Sequence, residues 1–142
     1  MMRKFTIPGP PVGKQRARTV RNNGITRSFT PEKTVNFEAL VKTCFRAENP
    51  ETVPAPGPVG MLCTIIYPIP QSWSGKKKAA ALAEIIRPTV KPDGSNVIKA
   101  VEDALNGIAW VDDKQIVDER IIKLYGIQPR TEVTIWEMEA DA

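Results

Sequence analysis

Residues 91–117 read KPDGSNVIKAVEDALNGIAWVDDKQIV, and they carry the clearest structural pattern in the chain. The first half predicts an amphipathic helix, because its apolar residues recur at spacings of three and four, at Ile98, Val101 and Leu105. Asn106-Gly107 marks the end of that helix. Asp93 or Ser95 is placed to cap its beginning.

Aspartates stand at both ends of this predicted helix. Asp93 precedes it, and Asp112-Asp113 follow its far connection. A helix of about twelve residues is roughly 18 Å long, so these carboxylates meet only if residues 108–111 lead the chain back along the helix. Lys99 lies four residues after Ser95 and therefore shares its face of the helix.

These residues allow two interpretations. Carboxylates that hold a divalent ion let it polarise a phosphoryl oxygen, lower the pKa of bound water and stabilise the leaving oxyanion. A nearby ammonium, such as that of Lys99, stabilises the developing charge. Alternatively, residues 93–96 are an ordinary helix cap, Asp112-Asp113 an ordinary acidic turn and Lys99 an exposed helix lysine. Residue types and spacing leave both interpretations open.

The size and composition of the chain predict one soluble domain, residues 1–142. Of its 142 residues, 42% are apolar, which is enough to bury a real core. No apolar run approaches the roughly 18 residues of a membrane span, and the N-terminus lacks an apolar signal core. We therefore expect a cytoplasmic protein that does not bind membranes. Cys44 and Cys63 are too few for a disulfide framework or a thiolate metal site.

Histidine is absent from the chain. Its absence excludes Ser-His-Asp and Cys-His catalysis, the His-Glu-x-x-His zinc site and the histidine-based nuclease motifs. Carboxylates remain the obvious catalytic resource, and they suit hard cations. The expected cofactor is Mg²⁺, with Mn²⁺ as the other candidate.

Charge is distributed unevenly along the chain. Residues 1–91 carry 15 Lys/Arg against 5 Asp/Glu, whereas residues 92–142 carry 5 against 11. A polyanion-binding surface beside a metal-binding one produces this pattern. The alternative is a chance segregation of solvated charges.

The rest of the chain alternates strand and helix signals without an internal repeat. Strands are predicted at about residues 4–7, 62–67, 115–125 and 131–138, and further helices from a Thr30 cap with Pro31 at the first position to about Arg46, and from Ser74 to about Ile86. Residues 49–60 are proline-rich and predict a surface loop. Helices mixed with unevenly spaced strands predict an α+β or mixed α/β domain rather than a repeating βαβ fold.

Residues 14–33 form a basic segment with a turn signal at residues 22–24, which predicts a basic hairpin or arm. Its cations are Lys14, Arg16, Arg18, Arg21, Arg27 and Lys33. Because the first three alternate, an extended backbone places them on one face that can follow a phosphate backbone. The alternative is a loop that is basic only for solubility. Lys76 begins three consecutive lysines, which are either a solvated helix start or a further phosphate contact.

Three segments carry a resemblance to a known family. They are residues 8–11 with Lys14-x-Arg16-x-Arg18 and residues 30–34, then residues 91–107, then residues 110–117 followed by a lysine-containing strand. Together they span nearly the whole chain, and they resemble the RusA-type Holliday-junction resolvases, small homodimeric endonucleases common in bacteria and their phages.

The resemblance implies a mixed sheet flanked by helices. It also implies magnesium-dependent cutting of four-way DNA junctions in recombination and repair, by a dimer whose two active sites face a two-fold symmetric substrate. In the family, an Asp-x-Asp-Asn motif ahead of the helix and acids in a later Asp-Asp pair hold the metal. By position, the matching residues are Asp93 for the first aspartate, Asn96 for the asparagine, Lys99 for the functional lysine and Asp113 for the essential acid, with Asp112 as an auxiliary acid.

Ser95 departs from the family pattern, because it stands where the second aspartate is usual. The site thereby loses one formal negative charge. Either Ser95 binds the metal through its hydroxyl or a water, or Asp112 compensates, or activity is reduced or lost. The resemblance thus predicts a metal site of Asp93, Ser95, Asp112 and Asp113, with Lys14, Arg16, Arg18, Arg27 and Lys76 contacting DNA.

Two rival functions stay open on the sequence. One is a branched-DNA-binding protein with a weak or inactive catalytic site, which the Ser95 departure suggests. The other is a protein-interaction module in which the charge segregation is incidental. Salt-dependent binding to a junction distinguishes the second rival, because neutralising phosphates releases counterions.

Overall fold

Six strands, three α-helices and one 3-10 turn make up the part of the chain that the structure describes, residues 2–15, 18–29 and 31–139 of a computed structural model. In chain order they are β1 (Met2–Pro8), β2 (Arg18–Asn22), β3 (Ile25–Phe29), α1 (Glu32–Glu48), β4 (Val59–Pro68), α2 (Gly75–Leu82), α3 (Gly94–Leu105), the 3-10 turn (Asp113–Gln115), β5 (Ile116–Gly126) and β6 (Arg130–Glu137).

The main sheet has the strand order β1-β6-β4-β5. Its β1–β6 and β6–β4 pairs are antiparallel, whereas β4 and β5 run parallel. A parallel pair needs a long crossover, and here the crossover carries both α2 and α3. The predicted α+β fold, a mixed sheet with helices packed on it, is confirmed.

The core forms where α1 and α3 pack together beside the sheet. In β1 exposed and buried residues alternate, so Phe5 and Ile7 point inward. The Phe5 ring meets Phe45 of α1 edge to face, with ring centroids 5.3 Å apart. In α3 the predicted apolar stripe is buried, including Ile98 and Leu105. The start of α3 is thus fixed by packing against the core.

The hairpin predicted in the basic segment is formed by β2 and β3, as a separate two-stranded sheet. Its turn places Asn23 at φ 50° and Gly24 at φ 78°. Both residues adopt positive φ at low cost, which suits the tight turn of a two-residue hairpin loop.

Three predicted boundaries are wrong: the start of α1, the end of α2 and the start of β4. Helix α1 begins at Glu32 and ends at Glu48, with Pro31 outside it as the N-cap residue, and the predicted Thr30 cap lies outside the described residues. Helix α2 ends at Leu82, well short of Ile86, since Glu84 adopts φ 64°.

Strand β4 begins at Val59, inside the predicted 49–60 loop, because Val59 pairs with both Ile116 and Glu137. Ladders on both sides of β4 outweigh the local proline and glycine signals. Within the described residues, no helix has the length and apolar character needed to cross a membrane.

Candidate active site

Asp93 occupies the N-cap position of α3, but its side chain accepts no capping hydrogen bond. Its backbone is extended, with φ −64° and ψ 140°, and its side chain is exposed. Capping residues contribute by accepting a hydrogen bond from the first turn, which Asp93 does not do. The carboxylate is therefore available for another partner, and a role as a simple helix cap does not explain it.

The segment before Asp93 is held by the ends of β4 and β5. The buried Tyr67 hydroxyl donates to the Pro92 carbonyl oxygen. Lys123 Nζ donates to the Val90 carbonyl oxygen at 3.0 Å and lies 4.8 Å from the centre of the Tyr67 ring. Burial, and then the negative charge of Asp93, raises the pKa of Tyr67 to about 12, so its hydroxyl keeps its proton.

The segment before the hairpin, residues 11–15, packs against the first turn of α3. Lys14 N donates to the Asn96 carbonyl oxygen at 2.8 Å. The approach at Gly13 is close, since a Cβ there would lie 3.0 Å from the Pro92 Cβ and 3.2 Å from the Asn96 Cβ. Gln15 N donates to Thr34 Oγ1 of α1 at 3.2 Å, which fixes the other side of the segment.

An open cleft of about 550 Å³ lies between residues 11–15 and residues 91–96. Its polar lining includes the oxygen-bearing side chains of Asp93 and Asn96 together with three lysines, Lys14, Lys33 and Lys91. Because Glu38 and Asp103 balance the charge of Lys14, two ammonium groups face one carboxylate in the cleft, which favours an anionic ligand. The sequence had singled out Lys33 only as part of the basic arm, and no motif had marked Lys91 as a cleft residue.

Lys14 and Lys99 are both bound by Asp103 of α3. Lys14 Nζ lies 2.8 Å from Glu38 Oε1 and 3.2 Å from Asp103 Oδ2, and Lys99 Nζ lies 3.2 Å from Asp103 Oδ1. The hydrogen bond to Glu38 is the largest cause that raises the pKa of Lys14. Two carboxylates thus already balance Lys14, which the sequence had predicted as a DNA contact.

The second acid pair lies at the 3-10 turn ahead of β5. Trp110, which is fully buried, donates from Nε1 to Asp113 Oδ1 at 2.8 Å. Within the described residues no hydrogen bond reaches the other carboxylate oxygen of Asp113. Asp112 is the cap of the turn, with its Oδ1 accepting from Lys114 N at 2.9 Å and its own N–H donating to Gln115 Oε1 at 2.8 Å.

Gln115 also ties this turn to the proline-rich loop. Its Nε2 donates to the carbonyl oxygens of Ala55 at 2.7 Å and Gly57 at 2.8 Å. The Asp112 carboxylate is thus engaged in capping the turn, whereas the Asp113 carboxylate is held by the buried Trp110 side chain. The sequence placed Gln115 in the segment 110–117 and at the start of a predicted strand, but it did not indicate this contact, since the partners lie some sixty residues earlier in the chain.

The structure does not gather the predicted aspartates into one cluster within a single chain. Among the residues described, no group of three or more His, Cys, Asp or Glu side chains converges to hold an ion. The start of α3 packs beside the middle of β5, since a Cβ on Gly94 would lie 2.6 Å from Ile121 Cγ2. Asp113 instead precedes Ile116, and Ile116 lies five residue steps from Ile121 along the strand, a distance of roughly 17 Å.

The donor set near Asp93 nevertheless suits a hard cation. Magnesium is commonly held by one or two carboxylates together with waters and phosphate oxygens. Asp93 and Asn96 both line the cleft, and Ser95 lies exposed in the same helical turn. These three residues would hold such an ion beside a bound phosphate.

The other predicted DNA contacts are only partly described. Arg16 lies outside the described residues, and Arg18 begins β2. Arg27 is exposed on β3 opposite Val20, and Lys76 is exposed in the first turn of α2. A basic hairpin that follows the cleft segment 11–15 in the chain, together with a lysine-lined, carboxylate-bearing cleft, is typical of a protein that acts on nucleic acid.

Comparison with known proteins identifies the family. The family model of endodeoxyribonuclease RusA matches residues 8–136. The chain therefore belongs to the RusA endodeoxyribonuclease family, which acts on branched DNA junctions. It is also similar to the uncharacterized protein YqaN of Bacillus subtilis (strain 168), with 40% identity over 139 residues, which cover 96% of this chain and 97% of the relative.

Proposed function

We propose that this protein is a divalent-metal-dependent endodeoxyribonuclease that resolves four-way DNA junctions by paired nicking during recombination and repair. The observation that carries the proposal is the Asp93 carboxylate, which is free of capping and lies in a cleft lined by lysines. Family membership supports the endonuclease activity. A homodimer with two active sites matches the two-fold symmetry of the substrate.

The metal site in this proposal is built on Asp93, with Asn96 and Ser95 in the same turn. Asp112 and Asp113 lie away from this turn within one chain, so in the proposed homodimer they join the site as acids brought to it from the other protomer. A bound Mg²⁺ or Mn²⁺ would supply Lewis-acid stabilisation of the phosphoryl oxygen and a water of lowered pKa. Trp110 holds one oxygen of Asp113, in the way that outer hydrogen bonds orient ligating carboxylates.

The remaining residues handle the charge of the DNA. Lys33 and Lys91 line the cleft and place ammonium groups beside an incoming phosphate. Lys99, exposed on α3 one turn beyond Asn96, stabilises the charge that develops as the bond breaks. Arg27 and Lys76 extend the contact with the backbone, with Arg16 and Arg18 in the same arm.

The test incubates the protein with a synthetic four-way junction and, separately, with a linear duplex of the same arm sequence. We expect symmetrical nicks in the junction with Mg²⁺ or Mn²⁺, and none with EDTA. Binding that falls as salt rises accompanies the nicks. Nicks that persist in EDTA contradict the metal dependence, and equal cutting of the linear duplex contradicts the junction specificity.

A second candidate function is a catalytically weak or inactive protein that binds branched DNA. Ser95 favours it, because a neutral hydroxyl stands where the family usually has a carboxylate. This alternative predicts that the junction shifts in a binding gel and stays intact in either metal. An interaction module without a DNA function predicts neither the shift nor the nicks.

Replacing Ser95 by aspartate is expected to tighten Mg²⁺ binding about tenfold, which corresponds to about 1.4 kcal/mol. The added carboxylate restores a charged oxygen ligand in the first turn of α3. The measurement is the nicking rate of the junction as a function of Mg²⁺ concentration, with the half-maximal concentration falling in the variant.

Ser95→Asn is the matched control, since it has nearly the same size as aspartate without the charge. We expect its half-maximal Mg²⁺ concentration to stay near that of the unmodified protein. Equal behaviour of the aspartate and asparagine variants contradicts a place for residue 95 among the ligands.

A further inference from the structure

Four alternating charges connect α1, the segment before the hairpin and α3. They run from Glu38 through Lys14 and Asp103 to Lys99, with contacts of 2.8, 3.2 and 3.2 Å. Their charges sum to zero, because two ammonium groups face two carboxylates. We refer to these four residues as the charge chain.

Asp103 is the central member of the charge chain, since each of its carboxylate oxygens takes a different lysine. Oδ2 meets Lys14 and Oδ1 meets Lys99. The carboxylate is largely shielded, with its side chain 24% exposed, whereas the Lys99 side chain is 54% exposed. Lys14 thus holds one oxygen of the carboxylate, and the other oxygen is left to bind the candidate catalytic lysine.

Lys14 is the member of the charge chain that is held at both its backbone and its side chain. Its backbone N–H is bonded to the Asn96 carbonyl oxygen, and its ammonium is bonded to Glu38 of α1. Lys14 also lines the cleft. Because Asp103 holds both ammonium groups, it keeps the Lys99 ammonium close to the Lys14 ammonium and hence at the margin of the cleft.

Orientation is the main effect expected from this contact. Exposed ion pairs between residues four apart on a helix add little to the stability of a protein. A lysine side chain has four rotatable bonds, however, and an unrestrained ammonium spends only part of its time at any one position. A carboxylate that holds the Lys99 ammonium in one position restricts these rotations in the folded protein, so their entropy cost is met before DNA binds.

We infer that Asp103 is a positioning residue for the nuclease reaction, which holds Lys99 beside the cleft for contact with the phosphate that is cut. Lys14, itself bound by Glu38, serves it by holding the other oxygen of the Asp103 carboxylate. This inference rests on the proposed nuclease function and adds to it a residue that does not itself touch the metal or the DNA.

The test compares Asp103→Ala, Asp103→Asn and Asp103→Glu with the unmodified protein. Single-turnover nicking of the four-way junction is measured in Mg²⁺, and junction affinity is measured separately in EDTA. We expect the alanine variant to nick about ten- to a hundredfold more slowly, the range for residues that orient a reacting group, with its affinity within about twofold. Asp103→Glu restores most of the rate, since it retains the carboxylate.

A double-mutant cycle with Lys99→Met separates positioning from a structural role. If Asp103 acts through Lys99, then Asp103→Ala costs almost nothing once Lys99 is methionine. A structural role costs the same in both backgrounds. Asp118→Ala is the matched control, because Asp118 forms an exposed pair with Arg120 at 3.6 Å on β5, and we expect it to nick at the unmodified rate.

Each outcome bears on one of two claims. An alanine variant as fast as the unmodified protein, or a loss that persists in the Lys99→Met background, overturns the positioning role while the nuclease function stands. An unmodified protein that leaves junctions intact overturns the proposed function and this inference with it. Circular dichroism checks the fold of each variant, and the isosteric Asp103→Asn provides the comparison if the alanine variant unfolds.

Discussion

Asp113→Asn is expected to reduce the rate of junction nicking by about a thousandfold. A metal ion contributes several kcal/mol of transition-state stabilisation, and each 1.36 kcal/mol corresponds to about a factor of ten in rate. Asparagine keeps the shape of the side chain and an oxygen that can accept the Trp110 hydrogen bond. The change therefore removes charge from the site while it preserves the turn. The measurement is single-turnover nicking in Mg²⁺, with junction binding in EDTA recorded alongside.

Asp112→Asn is the matched comparison from the same turn. The Asp112 carboxylate already caps the turn through Lys114 N, so we expect a smaller loss of rate, within about tenfold. Undiminished nicking by Asp113→Asn removes Asp113 from the active site. A larger loss from Asp112→Asn than from Asp113→Asn reverses the assignment of the two acids.

Trp110→Ala is expected to lower the free energy of unfolding by about 3–5 kcal/mol, the usual cost of emptying a buried aromatic site. Trp110 is fully buried, and its backbone bridges to Ala55 and Asn106 where α3, the loop and the acid turn meet. Removing the indole leaves a cavity and also removes the donor to Asp113. Urea unfolding followed by circular dichroism measures the loss.

Trp110→Phe separates packing from hydrogen bonding. Phenylalanine keeps most of the buried ring but removes the Nε1 donor, so we expect a smaller loss of stability, about 1–3 kcal/mol. Nicking should fall about ten- to a hundredfold, as when an outer hydrogen bond to a ligand is lost. A phenylalanine variant that nicks at the unmodified rate contradicts the role of this hydrogen bond in orienting Asp113.

Local patterns in the sequence predicted those helices and turns that interactions between residues close in the chain determine. The apolar spacing of Ile98, Val101 and Leu105 predicted α3, and Asn106-Gly107 predicted its end, as observed. The turn signal at residues 22–24 likewise predicted the hairpin. In contrast, the start of β4 at Val59 depends on pairing with Glu137, some eighty residues later, and no local pattern contains that information.

The residues of the candidate site also fall into two groups, those that a local motif predicts and those that only the folded structure reveals. Asp93 and Lys99 follow from a short motif, and the structure shows that the Asp93 side chain does not serve as a cap. The roles of Tyr67 and Gln115 become visible only in three dimensions, because each acts through a hydrogen bond fixed by tertiary packing. The same holds for the ion pair of Asp103 with Lys14, whereas its pair with Lys99 joins residues four apart on one helix. The single-chain separation of Asp93 from the Asp113 turn is equally a property of the fold, since it depends on where α3 lies against β5.

The hydrogen bonds of Gln115 divide the proline-rich loop into two parts with different tolerance for change in length. At its start, Pro50 and Glu51 are exposed, and lengthening an exposed loop costs little chain entropy. At Ala55 and Gly57 both carbonyl oxygens accept hydrogen bonds from the Gln115 side chain. An added residue there would break these bonds or displace the turn that carries Asp113. We therefore expect this loop to tolerate an insertion or an engineered tag at Pro50–Glu51 better than at Ala55 or Gly57.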